Sequence, residues 1–246
     1  MFIKSKNIIA GRNPVVEALK AGCGVDKILL FKNATGEHIA QIKELAKKIQ
    51  VPVQYVPMEK LNQLTNVQHQ GVVAFKAAVS YIDLQQVIDV LNENGETPLL
   101  LILDGITDVR NIGAIARTAL CCGAQAIIVP DKGVAALGED AMKASAGALE
   151  QIHICRVNSL MKAVDTLHLN GIKVYASEMT ATTKLHETQL AEPCAIIMGS
   201  EDKGVFTGMQ KISDGVFKIP MTGKFESLNV SVAAGMILYE AMKQRM

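Results

Sequence analysis

The chain has 246 residues, of which 49% are hydrophobic and 20% charged, so it can bury the core of one large domain or of two modest ones. No run of 18 uncharged apolar residues occurs, so no membrane-spanning helix is expected, and the apolar stretch at the N-terminus is too short to predict a signal peptide. The formal net charge of +1 hides an asymmetry, because residues 1–80 hold 11 Lys and Arg against 5 Asp and Glu, whereas residues 81–246 hold 14 against 19. This asymmetry favours a nucleic-acid-facing module at the front of the chain, although lysines solvated on ordinary helix faces would give the same counts.

The cysteines and histidines do not indicate a metal site. No C-x-x-C pair occurs among the five cysteines, which are Cys23, Cys121, Cys122, Cys155 and Cys194. The five histidines are scattered along the chain. We therefore expect neither disulfides nor a bound metal, and a reducing cytoplasm as the location.

Helix and strand patterns alternate through the first 80 residues. Asn13 followed by Pro14 predicts a helix capped by Asn13 and ending at Gly22. The apolar spacing then predicts a strand (25–32), a helix (37–49), a strand (51–56), a short helix (58–64) and a final strand (71–79). Because the strand at 51–56 contains Pro52, we expect it near a sheet edge. These elements indicate a small α/β domain over residues 1–80.

From residue 81 onward, apolar strands alternate with helices. A helix is predicted around residues 84–91, and Leu99–Leu103 is wholly apolar, as in a strand that is buried on both faces. Further strands are predicted at 126–129, 152–157, 173–176, 195–198 and 216–219. A mainly parallel sheet with helices on both faces follows, and ligands in such sheets bind at the carboxyl ends of the strands.

The first polar loop at such an end follows Leu103. It leads into a helix that we expect to begin at or just after Asn111, with Arg117 outside the apolar stripe and one turn from Gly113. Taken alone, this loop is better explained by a capping Asn and a surface Arg than by a functional site.

Two further loops carry polar residues in the same context. The loop after residues 195–198 contains Gly199, which would let a ligand approach the backbone, and Glu201, which could bind an Arg or position a substrate. Taken alone, this loop is better explained by a polar turn with a solvated carboxylate. In the third polar loop, which lies nearest the C-terminus, Ser227, Asn229 and Ser231 alternate with apolar residues at the start of a helix. A helix cap would account for one of these three residues, and the crowding of polar groups favours a ligand site.

Three common nucleotide and metal motifs are missing. No G-x-G-x-x-G opens the helix after Leu103, and neither a P-loop nor an H-E-x-x-H sequence occurs.

Together, the three loops resemble the motifs of the SpoU/TrmH family of RNA ribose 2′-O-methyltransferases, which belongs to the SPOUT superfamily. The matching segments are residues 111–119 (NIGAIARTA), 197–201 (IMGSE), and 219–221 (IPM) with 227–233 (SLNVSVA). Residues 11–19 (GRNPVVEAL) and 69–71 (HQG) resemble the small RNA-binding domain of the family. The branch that the chain most resembles modifies a guanosine ribose in 23S rRNA.

This resemblance implies a methyltransferase domain over residues 81–246, with a deep trefoil knot, that forms a homodimer and binds S-adenosylmethionine (AdoMet) in the knot. It implies cofactor binding by Gly199, Ile219, Leu228 and Asn229, and RNA binding by Arg12 and Asn13. The catalytic residues that it implies are Arg117, Asn111, Glu201, Ser227 and Asn229.

The role of Arg117 stays open between two mechanisms. The family assigns its arginine as the base, but a guanidinium essentially never loses its proton in proteins. Arg117 would then stabilise the developing alkoxide, Glu201 and Asn229 would orient Arg117 and the ribose, and Asn111 and Ser227 would hold the loops. Three other functions also remain open, namely methylation of tRNA, methylation of a different rRNA nucleotide, and a non-catalytic RNA-binding or ribosome-assembly role on the same fold.

Overall fold

The computed structural model describes residues 8–21, 24–49, 51–135, 137–223 and 227–246. They form two compact units, one up to Ser80 and one from Tyr81 onward. The predicted helix end at Gly22, Cys23 and the middle of the third loop (residues 224–226) lie outside the described residues.

The first unit is a four-stranded sheet with helices on both faces. Its strands are β1 (Ile8–Ala10), β2 (Val25–Phe31), β3 (Val53–Val56) and β4 (Val72–Lys76), in the spatial order β1-β4-β2-β3. Its helices are α1 (Arg12–Lys20), α2 (Glu37–Lys48) and α3 (Met58–Leu64). Strand β3 lies at the edge, as predicted from Pro52, because a proline cannot donate a ladder hydrogen bond.

Two apolar clusters hold this sheet between its helices. Val15, Ile39 and Ile42 of α1 and α2 pack with Ile28 and Leu30 of β2. On the opposite face, a smaller cluster joins α3 to three strands through Leu29, Val56, Leu61 and Val73. The alternation of side chains along β2 therefore supplies both clusters.

The start of α1 differs from the prediction. The helix begins at Arg12, and its N-cap is Gly11 rather than Asn13. Gly11 has φ 105°, a backbone conformation that residues with a Cβ rarely adopt, and its carbonyl accepts the first helical hydrogen bond, from the Val15 N–H. The short strand β1 before it was not predicted.

The second unit contains a seven-stranded sheet, and every strand pair in it is parallel, which confirms the predicted α/β class with a parallel sheet. Its strands are β5 (Leu99–Asp104), β6 (Ala126–Pro130), β7 (His153–Val157), β8 (Lys173–Ser177), β9 (Thr183–Lys184), β10 (Cys194–Gly199) and β11 (Gly215–Lys218). The two-residue strand β9 was not predicted.

Helices cover this sheet on both faces. They are α4 (Leu84–Glu93), α5 (Val109–Cys121), α6 (Glu139–Ala144), α7 (Leu160–Leu169), α8 (Thr207–Ile212) and α9 (Val230–Arg245). Helices α4, α7 and α8 pack on strand residues such as Leu100, Ile128 and Ile197. The residues between them, such as Leu101 and Ile196, are buried as well, as expected for strands covered on both sides. Within the described ranges, every helix is too short or too polar to cross a bilayer.

The strand order decides where a site can form. The order is β7-β6-β5-β10-β8-β11-β9, so β10 lies between β5 and β8, and β11 is next to β8. Because these strands are parallel, the loops that follow β5, β8, β10 and β11 all leave the same edge of the sheet.

Candidate active site

A hydrogen-bonded cluster joins the three predicted loops at this edge. The Oε1 atom of Glu201 accepts hydrogen bonds from the side-chain amide of Asn111 (2.9 Å), the side-chain amide of Asn229 (2.7 Å) and the backbone N–H of Val230 (3.2 Å). The Asn229 amide also donates to Oδ1 of Asn111 at 3.1 Å. One carboxylate oxygen thus connects residues that are up to 118 positions apart in the sequence.

Helix ends position the two asparagines. Helix α5 begins at Val109 and is capped by Asp108, whose carboxylate accepts from the Arg110 N–H at 2.8 Å. The predicted start at or after Asn111 is therefore wrong, and Asn111 lies in the first turn with its side chain free to reach Glu201. Asn229 is the N-cap of α9 and accepts from the backbone of Ser231 and Val232.

Asn229 is the residue that the helix-cap explanation accounts for, and its side chain makes a second contact within the protein. Its Oδ1 atom caps α9, and its Nδ2 atom donates to Glu201. An aspartate could cap the helix but has no N–H to donate to Glu201, and a serine hydroxyl could cap it but is too short to reach Glu201 at the same time, whereas the asparagine amide makes both contacts.

The loop after β10 is tightly folded on itself. The Gly204 N–H donates to the carbonyl of Ser200 at 2.9 Å, and a Cβ at Gly199 would overlap the Gly204 carbonyl carbon. Glycine is thus required at 199 by the approach of the chain itself, which differs from the expected reason, the approach of a ligand. The Asp104 carboxylate at the end of β5 accepts from the Phe206 N–H at 2.8 Å and ties this loop to the neighbouring strand.

Arg117 is exposed on α5 and lies outside the hydrogen-bonded cluster. A Cβ at Gly113, one turn earlier, would lie 2.8 Å from the backbone of Ala144 and Ser145, so α5 packs closely against α6 at this point. Within the described part of the chain, the guanidinium of Arg117 has no hydrogen-bonding or ion-pair partner, and it is available to a ligand.

A cavity of about 370 Å³ opens beside the cluster. The predicted site residues that line it are Gly199, Glu201, Ile219, Ser227 and Leu228. Asn111 lines a smaller neighbouring cavity of about 110 Å³, and Glu201, Asp202 and Val230 border both cavities. Glu201 therefore lies where the two spaces adjoin.

The sequence interpretation missed one part of the cavity wall, the segment after β8 formed by residues 177–180. Its Glu178 accepts hydrogen bonds from Gln210 (3.0 Å) and from the Met179 N–H (2.9 Å). The available signal was the same as for the other loops, polar residues directly after a buried strand.

The ion pair at the beginning of α5 shifts the pKa of both partners, raising that of Arg110 and lowering that of Asp108. The Arg110 side chain donates to Asp108 at 2.9 Å and lowers the pKa of that carboxyl group, which therefore stays ionised at the entrance to α5. Among the described residues, no group of three or more His, Cys, Asp or Glu side chains is arranged to hold a metal ion.

The residues with a predicted RNA-binding role lie in the first unit. Arg12 and Asn13 line a third cavity, of about 1090 Å³. The Nε atom of Arg12 donates to the carbonyl of Gln70 at 3.1 Å, and its backbone N–H donates to the Gln70 side chain at 3.3 Å.

Comparison with known proteins assigns both units to families. Residues 98–239 match the SpoU rRNA Methylase family, and residues 8–82 match the RNA 2′-O ribose methyltransferase substrate-binding family. YacO of Bacillus subtilis (strain 168), named for the TrmH family of tRNA/rRNA methyltransferases, is 38% identical over 96% of this chain and 95% of its own length. A similarly named protein of Staphylococcus aureus (strain MSSA476) is 37% identical over 97% of this chain and 96% of its own length.

Solved structures share the fold over most of the chain. The SpoU methyltransferase AviRb from Streptomyces viridochromogenes, crystallised with AdoMet, has a TM-score of 0.61 and 24% identity over 97% of this chain and 90% of its own. The TrmH/SpoU tRNA modifying enzyme of A. aeolicus has a TM-score of 0.54 and 28% identity over 66% of this chain and 84% of its own.

Proposed function

This chain belongs to the SpoU/TrmH family of RNA methyltransferases, and we propose that it transfers a methyl group from AdoMet to a ribose 2′-hydroxyl of RNA, with a guanosine of 23S rRNA as the target. The observation that carries this proposal is the cluster of Asn111, Glu201 and Asn229 at the edge of the cavity formed after β8, β10 and β11.

The cavity residues suit AdoMet. The cavity volume of about 370 Å³ falls in the range of small-molecule binding sites. Met198, Ile219 and Leu228 provide apolar surface for an adenine. Three carboxylates line the cavity against two lysines, a balance that favours a positive sulfonium; these residues are Glu178, Glu201, Asp202, Lys203 and Lys218. We assign cofactor binding to Gly199, Ile219 and Leu228, which line the cavity, and to Asn229, which is outside the lining and acts through its hydrogen bond to Glu201.

When bound, AdoMet would supply a methyl group on a sulfonium, and its transfer to an alcohol oxygen forms an O–C bond and breaks the C–S bond, with a neutral thioether as the leaving group. The protein must align the 2′-oxygen with that methyl group and assist an alcohol of high pKa. The Glu201 cluster fixes the beginnings of α5 and α9 relative to the loop after β10, and it thereby sets the walls between which the ribose must lie. Ser227, exposed on the cavity wall, completes this surface.

Arg117 is the electrostatic stabiliser in this proposal. Its guanidinium is exposed and has no partner among the described residues, so it can face the developing alkoxide without breaking an ion pair. Because arginine keeps its proton in proteins, the proton of the 2′-hydroxyl passes to another acceptor, for which the adjacent RNA phosphate is the candidate.

The two units take different roles in this proposal. The first, up to Ser80, binds RNA through Arg12 and Asn13, and the second, from Tyr81, carries out methyl transfer. The proposed RNA substrate also supports a cytoplasmic location. We keep the trefoil knot in the second unit as a prediction from the family resemblance.

We also propose a homodimer. Val232, Met236 and Tyr239 form a stripe along α9, and their exposed fractions are 49%, 46% and 59%. Their spacing of four and three residues places them on one helix face, where a second copy of the chain would cover them.

A labelled methyl group decides whether the chain is an enzyme. Purified protein would be incubated with methyl-labelled AdoMet and, separately, with unmodified 23S rRNA and unmodified tRNA. Mass spectrometry of nucleosides from the labelled RNA would identify the ribose. Label in guanosine of 23S rRNA supports the full proposal, label in tRNA favours the alternative substrate that the tRNA/rRNA names of the relatives allow, and bound RNA without label favours a non-catalytic factor.

A further inference from the structure

We infer that the large cavity of the first unit binds an unpaired nucleotide of the RNA substrate, with a phosphate at Arg12 and the base edge at Asn62. The inference rests on the proposed function, because that function makes RNA the partner. It concerns the cavity of about 1090 Å³ that Arg12 and Asn13 line.

The charge of the cavity suits nucleic acid. None of the described residues that line it is an aspartate or a glutamate. The lining consists of one arginine, two histidines, small hydroxyl and apolar residues, and a group of side-chain amides that includes Asn13, Asn33 and Asn62. A phosphate therefore meets a cation without a neighbouring carboxylate, and amides are suitable groups for reading base edges.

Arg12 is held in place with part of its guanidinium unused. Its Nε atom donates to the carbonyl of Gln70 at 3.1 Å. Gln70 has φ 50°, an uncommon value for a residue with a side chain. The two terminal nitrogens of Arg12 have no hydrogen-bonding partner among the described residues, and they can donate together to one phosphate.

A histidine determines which way Asn62 presents its amide. The Nδ1 atom of the buried His69 lies 3.1 Å from the Gly71 N–H, so it must accept, and the ring proton is on Nε2. That Nε2–H donates to Oδ1 of Asn62 at 2.8 Å. The oxygen of Asn62 is thereby occupied, and its NH₂ group remains to donate to an acceptor on a base.

Apolar side chains complete the lining. Phe31, Met58 and Val67 supply surface against which the flat face of a base can pack. A fully paired duplex keeps its base faces stacked and its Watson–Crick edges occupied, so it cannot offer them to this cavity. The cavity thus selects for an unpaired nucleotide.

The test uses full-length protein and fluorescein-labelled RNA. The probes are single-stranded homopolymers of A, C, G and U of about 12 nucleotides and a blunt duplex of the same length. Asn62→Asp keeps the acceptor for His69 but adds a negative charge in the cavity, and Gln63→Glu adds the same charge on the next, exposed residue of α3, outside the cavity lining. Arg12→Gln is compared with Lys47→Gln. Lys47 lies on α2 about 14 Å beyond His38, the α2 residue that lines the cavity, so this control removes one positive charge away from the cavity.

We expect wild-type protein to bind at least one single strand more tightly than the duplex by anisotropy, and both cavity variants to bind that strand at least about 10-fold more weakly. The two controls should stay within about 3-fold of wild type. Any of four results would overturn the inference. They are an equal loss of RNA affinity in Asn62→Asp and Gln63→Glu, unchanged affinity in both cavity variants, tighter binding of the duplex than of the single strands, and no RNA binding by the wild-type protein.

Calorimetric AdoMet binding and methyl transfer by wild-type protein are measured separately. RNA binding that depends on the cavity, without methyl transfer by the wild-type protein, would reject the proposed function and leave the inference about the cavity standing. Methyl transfer by the wild-type protein, together with unchanged RNA affinity in both cavity variants, would reject the inference and leave the proposed function standing.

Discussion

The side-chain amide of Asn229 donates a hydrogen bond of 2.7 Å to Glu201 while its oxygen caps helix α9. This pair links the loop after β10 to the start of the last helix. Since Asn111 joins the same carboxylate oxygen at 2.9 Å, the three loops at the sheet edge are connected by side chains rather than by backbone pairing.

The two functions of Asn229 can be separated by substitution. Asn229→Ser keeps a capping oxygen but is too short to reach Glu201, so we expect the free energy of unfolding to change by less than about 0.5 kcal/mol while methyl transfer is strongly reduced. Asn229→Ala should lose about 1 kcal/mol of stability as well. The control is Asp83→Ala, which removes the cap of α4 and should lower stability but not activity. Full activity in Asn229→Ser would contradict the proposed role of the Glu201 contact.

Arg117→Ala should lower methyl transfer by about 100-fold or more, since a preorganised donor at a developing oxyanion is worth that much. Calorimetric AdoMet affinity should stay near the wild-type value, because Arg117 does not line the cavity beside Glu201. Arg110→Ala, on the same helix and with its side chain 87% exposed, is the matched control and should keep its activity. Equal turnover by wild type and Arg117→Ala would exclude both proposed roles of this arginine.

Met236→Glu should convert the proposed homodimer into a monomer, because it places a charge in the middle of the exposed stripe on α9. Sedimentation velocity of wild type and variant measures this directly. Leu169→Glu changes an apolar residue that is 88% exposed outside the stripe, and it should leave the mass unchanged. A monomeric wild-type protein would refute the dimer.

Arg245 joins the end of α9 to two loops of the second unit. Its guanidinium donates to the backbone carbonyls of Thr97, Pro98, Leu190 and Glu192 at 2.8–3.0 Å. Arg245→Met leaves these oxygens without that donor and should lower the free energy of unfolding by roughly 2–4 kcal/mol in urea denaturation. Lys243→Met, which removes a cation that contacts Glu240 on the same helix, should have a small effect. Similar midpoints for the two variants would show that the Arg245 contacts contribute little.

Asp214 should make stability depend on acid pH. Partial burial favours its neutral form, but hydrogen bonds from the Val174 N–H (2.7 Å) and the His168 ring (2.9 Å) outweigh burial and lower its pKa. Its contribution is therefore complete above the unfolded-state value of about 3.9 and is lost as the pH falls through the folded-state pKa. Asp214→Asn should destabilise the protein at pH 7 and reduce the loss on acidification. The control is Asp165→Asn, on the exposed side of α7. Identical profiles of unfolding free energy against pH for wild type and Asp214→Asn would contradict the role assigned to Asp214.

Local sequence was sufficient to predict most of the elements and the loops of the candidate site. The apolar run of β5 and the helical spacing in α2 identify those segments because burial imposes a period on the side chains near one another in sequence. Helix boundaries were less predictable: Asn13 and Asn111 were both expected near a helix start, but Gly11 and Asp108 are the caps. Caps depend on backbone angles and on which neighbour reaches the free N–H groups, and several nearby residues could have served.

Residue types and their spacing alone determined that strands alternate with helices, that the sheet is parallel and that polar loops follow buried strands. Only the tertiary structure decided that β10 lies between β5 and β8, and this order brings Asn111 to Glu201 across 90 positions of sequence and adds residues 177–180 to the cavity. The physical reason is that the spacing of apolar residues depends on which side chains of a segment are buried. It does not depend on which strand lies beside that segment, since any apolar neighbour satisfies the same pattern.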